Sequence, residues 1–113
     1  MIATKDRPQK IEACLQSILA NTYKDFEIIL ADQSCNTSTQ QVIKKIKSRK
    51  IVYLKLLSQG KTRALNRTID IARGEILSFI DDDIIVDKLW LEYIQTFFDQ
   101  NKNNQQIAGV FGK

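Results

Sequence analysis

Apolar residues recur along this chain with two alternating periods, one typical of helices and one typical of buried strands. The spacing of apolar residues over positions 8–21 predicts a helix, and the continuous run Phe26–Ala31 predicts a buried strand. The alternation then predicts, in order, a helix that buries Val42, Ile43 and Ile46, a strand Ile51–Leu57, a helix Lys61–Arg73, a strand Ile76–Ile80, a helix Asp87–Gln100 and a strand Ile107–Phe111.

Strands that alternate with helices predict crossover connections, and therefore a three-layer α/β sandwich in which helices cover both faces of a mainly parallel sheet. The chain has 113 residues, which is enough for one domain and too few for two ordinary ones. Its first strand, Met1–Thr4, is short. Ligands of such sheets collect at the carboxyl ends of the strands, so the residues after each strand are the candidates for function.

The composition narrows the possible chemistry. The chain has no histidine, which excludes a Ser-His-Asp triad and a Cys/His zinc site within it. Its net charge of +4 suits an anionic ligand but is too small and too dispersed for a nucleic-acid partner. Cys14 and Cys35 form no CxxC pair, which indicates incidental thiols in a reducing compartment. Because no apolar run could span a bilayer, we expect a cytoplasmic location, with membrane association only as part of a longer protein.

Three consecutive carboxylates, Asp81, Asp82 and Asp83, directly follow the predicted strand Ile76–Ile80. Packed together, they repel one another unless a cation neutralises them. Carboxylate oxygens suit Mg²⁺ or Mn²⁺, which would take further oxygens from water and from a substrate diphosphate. The alternative is a solvated acidic turn, because Asp is common in turns and helix caps. The position at the carboxyl end of a strand favours the metal site.

Two cations, Lys61 and Arg63, lie in or near the first turn of a predicted helix. A cation there opposes the helix dipole, and an anion bound beside it would relieve that conflict. Taken alone, the segment is explained equally well by exposed charges on a surface loop. It lacks the spacing of a Walker phosphate-binding loop. Five other polar residues that follow predicted strands suit either hydrogen bonds to a base and ribose or ordinary turns: Thr4, Lys5, Asp6, Asp32 and Gln33.

Taken together, these features resemble the family-2 glycosyltransferases of the GT-A fold. No single matching segment is specific, but their order and spacing are, and they cover nearly the whole chain. The segments are Ile2–Pro8, Thr22–Ile29, Ala31–Ser34, Gly60–Asn66, Ala72–Glu75 and Phe79–Asp83. The resemblance implies that residues 1–113 are a single donor-binding half of a GT-A domain, that the acceptor half is absent, and that the α/β sandwich is truncated.

The resemblance also implies contacts to a nucleoside. Thr4 and Asp6 would line the nucleoside pocket, and Asp32 with Gln33 would reach the base and the ribose. Many relatives carry a second Asp where this chain has Gln33, so a contact to a uracil imide would come here from a neutral amide. The identity of the base therefore stays open between uracil and another base.

For the rest of the donor, the resemblance places Lys61 and Arg63 near the diphosphate. Asp83 and Asp81 would hold the Mn²⁺ or Mg²⁺ ion, with Asp83 as the direct ligand. Asp82 would turn towards the ribose or the sugar. These roles describe a nucleotide-sugar site with a DxD motif.

The implied activity is inverting, metal-dependent transfer of a sugar from a UDP-sugar to a saccharide, lipid-linked glycan or protein acceptor, in polysaccharide or glycoconjugate synthesis. The family's general base lies downstream of the DxD motif, so we expect no catalytic residue within this chain and no turnover by the chain alone. Two alternatives stay open: a non-catalytic nucleotide-binding or assembly module of the same fold, and a nucleotidyltransferase. Exposed sheet edges would favour self-association.

Overall fold

The computed structural model describes residues 1–104 and 107–110, and its centre is a parallel sheet of three strands in the order β1-β2-β3. The strands are β1 (Ile2–Thr4), β2 (Ile28–Asp32) and β3 (Ile51–Lys55). Between and after them lie the helices α1 (Pro8–Leu19), α2 (Ser38–Ile46), α3 (Lys61–Ile69) and α4 (Trp90–Gln100). The predicted α/β class with a parallel sheet is confirmed.

The main core lies between the sheet and α1. Its fully buried members come from β1, from alternate positions of β2 and from the apolar side of α1, as the strand and helix periods require. They are Ile2, Ile11, Cys14, Leu15, Ile18, Ile28 and Leu30. The helix predicted over positions 8–21 is therefore confirmed, with its last residue at Leu19.

The two faces of the sheet are covered by different helices. Helices α1 and α2 pack against each other, while α3 packs on β1 and β2. Alternate residues of a strand point to opposite faces, so Ile29 and Ala31 of β2 are buried on the side opposite to Leu30. Ala64 and Thr68 are the buried residues of α3. This arrangement brings the carboxyl ends of all three strands to one edge of the molecule.

The predicted strand Ile76–Ile80 is wrong, because the structure has no strand there. The segment does lie beside β1: the Met1 amino group donates to the Ser78 carbonyl at 2.6 Å, and the Ile80 amide donates to the Met1 carbonyl at 3.1 Å. Two bonds to one residue hold the segment in place without making it a strand.

The structure also differs from the predicted elements at other places after residue 69. The predicted strand Ile107–Phe111 is also wrong over 107–110, where the structure has no strand, and Phe111 lies outside the described residues. Helix α3 ends at Ile69 instead of Arg73, and α4 begins at Trp90 instead of Asp87. Helix α4 has no buried residue, although its sequence is amphipathic.

Candidate functional site

Polar side chains gather where the three strands end. Thr4 ends β1, Asp32 ends β2 and Lys55 ends β3, and the parallel register places Thr4 beside Asp32 and Asp32 beside Lys55. The segment that follows Ile80 carries the three consecutive carboxylates to the same edge. Hydrogen bonds from residues of the 4–10 segment to Asp82 and Asp83 fix the position of this segment.

The carboxylates of Asp81, Asp82 and Asp83 point to different partners. Asp82 is buried, and it accepts a hydrogen bond of 2.7 Å from the Thr4 hydroxyl and one of 3.3 Å from the Arg7 guanidinium. Asp83 is half exposed and lies 3.5 Å from the Lys10 ammonium and 3.9 Å from Arg7. Each carboxylate therefore faces a cation, which reduces the mutual repulsion of three adjacent negative charges.

The remaining carboxylate, Asp81, forms an ion pair with Lys61, the first residue of α3. Both side chains are more than half exposed, so water screens the pair and its contribution to stability is small. Such a pair opens readily, which leaves both charges available to a ligand.

Asp32 is completely enclosed and fully bonded. Its carboxylate accepts hydrogen bonds from the Ser34 amide at 2.8 Å, the Tyr53 hydroxyl at 2.7 Å and the Lys55 ammonium at 3.0 Å. Burial alone would raise the pKa of Asp32, but these hydrogen bonds outweigh burial and hold the pKa below its usual value. Burial and the bond to Asp32 also raise the pKa of Tyr53 above its usual value. Asp32 is thus an ionised residue that ties β2 to β3.

The loop after β1 is fastened to the loop after β2. Asp6 has a left-handed backbone conformation, with φ of 54°. Its amide donates to the Ser34 hydroxyl at 2.8 Å, and its carboxylate accepts a bond of 3.3 Å from the Cys35 amide. The buried Gln33 side chain turns the other way and donates its amide hydrogens to the Ser58 and Gly60 carbonyls.

The structure brings most of the residues that the sequence analysis selected to this edge. Arg63 is the exception, because it follows Lys61 by two positions on α3, a rotation of about 200°, and is exposed. Among the described residues no contact joins Arg63 to the carboxylates. The selected residues also differ in exposure. Asp32, Gln33 and Asp82 are buried, whereas Asp6 and Lys61 are exposed and therefore accessible to a ligand.

Sequence reasoning missed four residues of this edge: Arg7, Lys10, Tyr53 and Lys55. Arg7 is the N-cap of α1 and Lys10 lies in its first turn, where no acidic residue balances them. They show the same conflict with the helix dipole that singled out Lys61, so a signal was present in the sequence. Tyr53 and Lys55 gave no such signal, because alternation along β3 predicts only that they share one face.

Two cavities flank this part of the molecule. A cleft of about 430 Å³ is lined by Lys61 and Asp81 together with apolar side chains that include Phe79 and Trp90. A larger cavity of about 1000 Å³ lies towards the opposite ends of the strands, between Met1, the 72–80 segment and α4. Because the larger cavity contains none of the strand-end carboxylates, we assign the functional site to the smaller cleft and the polar edge beside it.

The parallel sheet thus carries acidic and basic side chains at its carboxyl edge, which is where α/β sheets bind their ligands. Comparison with known families gives the class: the chain matches the model of glycosyl transferase family 2 over residues 1–112, and it belongs to this family. The expected family is therefore confirmed.

Curated relatives agree with this assignment. The chain is 36% identical over 84 residues to the UDP-Glc:alpha-D-GlcNAc-diphosphoundecaprenol beta-1,3-glucosyltransferase WfaP of Escherichia coli, covering 74% of this chain and 34% of the relative. It is 30% identical over 116 residues to the GalNAc(5)-diNAcBac-PP-undecaprenol beta-1,3-glucosyltransferase of Campylobacter jejuni, covering 99% and 36%. It is 31% identical over 114 residues to a poly-beta-1,6-N-acetyl-D-glucosamine synthase of Staphylococcus aureus, covering 99% and 27%.

The chain spans about a third of the length of the curated relatives named first, with 34% of one and 36% of the other. Within the residues that the structure describes, no helix has both the length and the apolarity needed to cross a bilayer.

Proposed function

We propose that this chain is the donor-binding part of an inverting, divalent-metal-dependent glycosyltransferase that uses a UDP-sugar. The observation that carries the proposal is the meeting of Thr4, Lys61 and the three carboxylates of 81–83 at the carboxyl edge of a parallel sheet. Membership of glycosyl transferase family 2 supports the reaction class. The name of the E. coli relative supports UDP as the nucleotide.

The nucleoside would lie over the joined loops after β1 and β2. We expect Thr4, Asp6 and Asp32 to line this pocket, each in a different role. Asp6 is exposed and linked to Ser34 and Cys35, so it is open to a ribose hydroxyl or a base. Asp32 is enclosed and would shape the pocket wall by holding the Ser34 amide. Thr4 would act with Asp82, to which its hydroxyl is bonded, on the ribose or sugar side.

The diphosphate would lie beside Lys61, whose ammonium is held on Asp81 by an exposed ion pair. A diphosphate carries more negative charge than a single carboxylate, so it would compete well for Lys61 with the weak, screened pair to Asp81. Arg63 would assist only from the far side of the first turn of α3, because its direction differs from that of Lys61. Arg7 and Lys10 add positive charge on the other side of the carboxylates.

The carboxylates of Asp81 and Asp83 fit a hard divalent ion such as Mn²⁺ or Mg²⁺. Both carboxylates offer oxygen ligands. Each of them already contacts a positive charge, Asp81 the ammonium group of Lys61 and Asp83 that of Lys10, so each faces a position that suits a cation. The described residues contain no group of three or more acidic, histidine or cysteine side chains able to hold a metal. The remaining ligands would therefore be water and phosphate oxygens. When bound, the ion would stabilise negative charge on the departing nucleoside diphosphate.

Transfer also needs a carboxylate base that accepts the proton of the attacking acceptor hydroxyl. We propose that this base lies outside the chain and that the chain alone does not turn over. The acceptor class that we propose is a saccharide on a lipid carrier, on the strength of the two relatives whose names specify undecaprenol-linked substrates. Such an acceptor would place the working enzyme in the cytoplasm next to a membrane.

The experiment that tests donor binding is calorimetric titration of the chain with UDP, with and without Mn²⁺, and with GDP as the second nucleotide. We expect saturable binding of UDP that requires Mn²⁺. Asp83→Asn should abolish the metal-dependent binding and most of the affinity. Asp70→Asn, which removes a more exposed carboxylate paired with Arg67, should leave both unchanged. Failure of the unaltered chain to bind any nucleoside diphosphate would contradict the proposal.

Detection of sugar transfer by the purified chain would overturn the part of the proposal that places the base elsewhere. Nucleotide binding by the full-length enzyme without transfer to any acceptor would favour the non-catalytic binding module. Release of diphosphate from a nucleoside triphosphate and a sugar phosphate would favour the nucleotidyltransferase.

A further inference from the structure

Gln33 lies where the resemblance to the family places an acidic residue that contacts the base. Its side chain, however, already forms hydrogen bonds within the protein. The residue is buried, with an exposed fraction of 8%. Its side-chain nitrogen donates to the Ser58 carbonyl and, at 3.3 Å, to the Gly60 carbonyl. Both hydrogens of the amide group thus point away from the nucleoside loops and towards the segment before α3.

This segment, residues 56–60, has few other attachments. The Leu56 amide donates to the Asp32 carbonyl at 2.8 Å, and the Lys5 ammonium donates to the Gln59 side chain at 2.9 Å. Leu57 is 99% exposed, so this loop has no apolar anchor of its own there. Residues 57–60 are all exposed, and Gln33 makes two of the hydrogen bonds that hold them.

The second acceptor of Gln33 is the carbonyl of Gly60, the residue directly before α3. Gly60 is the N-cap of this helix and has φ of 110°, a conformation that favours glycine. Its carbonyl also accepts the Ala64 amide at 3.1 Å, which is the first backbone bond of the helix. The next residue is Lys61, and its ammonium contacts Asp81. A continuous set of contacts therefore runs from Gln33 through Gly60 to Lys61 and the carboxylate.

We propose that Gln33 is a positioning residue for Lys61, and that it acts on the diphosphate end of the donor instead of selecting the base. A carboxylate at position 33 could not make these contacts, because an ionised acid only accepts hydrogen bonds. The chemistry of the side chain therefore matches the two carbonyls that it meets. The inference rests on the proposed function in one respect only, namely that Lys61 binds a nucleoside diphosphate.

The test begins with the free chain and does not need a ligand. Gln33→Met keeps the length and approximate volume of the side chain and removes both donors. Gln41→Met, at an exposed position of α2, is the matched control. Hydrogen exchange at the Ala64 amide should become at least about tenfold faster in Gln33→Met and stay unchanged in the control, while the amides of α1 report whether any loosening is global. Unchanged protection of Ala64 would overturn the inference.

The second arm measures nucleotide binding by calorimetry in the presence of Mn²⁺. Gln33→Met should weaken UDP and GDP by the same factor, about three- to tenfold, so that their ratio is preserved. In a Lys61→Gln background the same substitution should have no further effect, because the residue through which Gln33 acts is gone. A changed UDP-to-GDP ratio, or an undiminished loss in the Lys61→Gln background, would overturn the inference. Absence of binding by the unaltered chain would instead contradict the proposed function, and the exchange result would still decide the role of Gln33.

Discussion

The parts of the chain before and after residue 70 differ in how they are held. The buried apolar residues described in the structure all lie between Ile2 and Ala64, and the three strands lie in the same part. From position 70 onward, Asp82 is the one described residue that is buried, and apolar side chains such as Phe79 and Ile85 are more than half exposed. The first part therefore makes its own core. The second part packs half-buried apolar residues such as Ile80, Val86 and Leu91 against that core, and its one buried residue, Asp82, is held by polar contacts.

The comparison teaches that the carboxylate cluster serves the fold as well as the site. Asp82 holds the second part to Thr4 and Arg7 of the first, while its neighbours Asp81 and Asp83 stay exposed beside it. One buried carboxylate thus fixes the positions of two accessible ones. Four predictions test this difference between the two parts of the chain and between the buried and exposed carboxylates, beginning with the largest expected effect.

Truncating the core of the first part should destabilise the chain far more than truncating α4. Leu15→Ala removes a side chain with no exposed surface, and we expect a loss of about 2–5 kcal/mol in the free energy of unfolding. Leu91→Ala makes the same change at a half-buried position of α4 and should cost less than about 1.5 kcal/mol. Urea denaturation followed by circular dichroism measures both, and equal losses would break the comparison.

Removing the buried carboxylate should have the next largest effect. Asp82→Ala leaves the buried Thr4 hydroxyl and the Arg7 guanidinium without their acceptor, so we expect a loss of about 1–3 kcal/mol in the free energy of unfolding. Asp83→Ala, at the exposed neighbour, should cost less than about 1 kcal/mol. If the two variants are equally stable, Asp82 does not join the two parts of the chain.

Acid should weaken the first part through Asp32. Its pKa is depressed in the folded chain, so the unfolded chain binds more protons at low pH, and the stabilisation present above the ordinary value of 3.8 is lost as pH falls through the folded value. The free energy of unfolding should therefore fall with pH below about 4. Asp32→Asn should lower stability at neutral pH and flatten this acid limb. Urea denaturation at a series of pH values measures this dependence. If the free energy of unfolding of Asp32→Asn falls with pH as steeply as that of the unaltered chain, Asp32 is not the cause of the acid sensitivity.

Exposed ion pairs of the site should matter least to stability. Lys61→Gln removes a pair whose two members are more than half exposed, and we expect less than about 1 kcal/mol of change in the free energy of unfolding. Lys45→Gln, which removes the exposed partner of Glu12 away from the site, is the matched control. Only Lys61→Gln should weaken UDP binding in calorimetry. Equal UDP affinity in the two variants would contradict a diphosphate role for Lys61.

Local patterns were sufficient to predict the first part of the fold. The helical spacing over 8–21 and the run Phe26–Ala31 led to elements that the structure places at Pro8–Leu19 and Ile28–Asp32. Both elements have a continuous buried side, which is the property that periodicity reports. The segment Ile76–Ile80 has equally apolar residues, but a strand also needs neighbours along its length, and that pairing is not encoded locally.

The candidate site was predictable to a similar degree. Asp81, Asp82 and Asp83 were found because adjacent carboxylates after a predicted strand are conspicuous, and Lys61 because a cation opposes the dipole of the helix that it begins. Tyr53 and Lys55 could not be found, because their contact with Asp32 depends on the register between β2 and β3. The direction of the Gln33 side chain likewise depends on a loop that is distant in sequence.

The most direct test of the central claim, that the strand-end edge binds the donor, is hydrogen exchange of the chain with and without UDP and Mn²⁺. The account predicts slower exchange at the Asp6, Cys35 and Ala64 amides, which lie along that edge. Protection confined to 72–78, where the larger cavity lies, would contradict it.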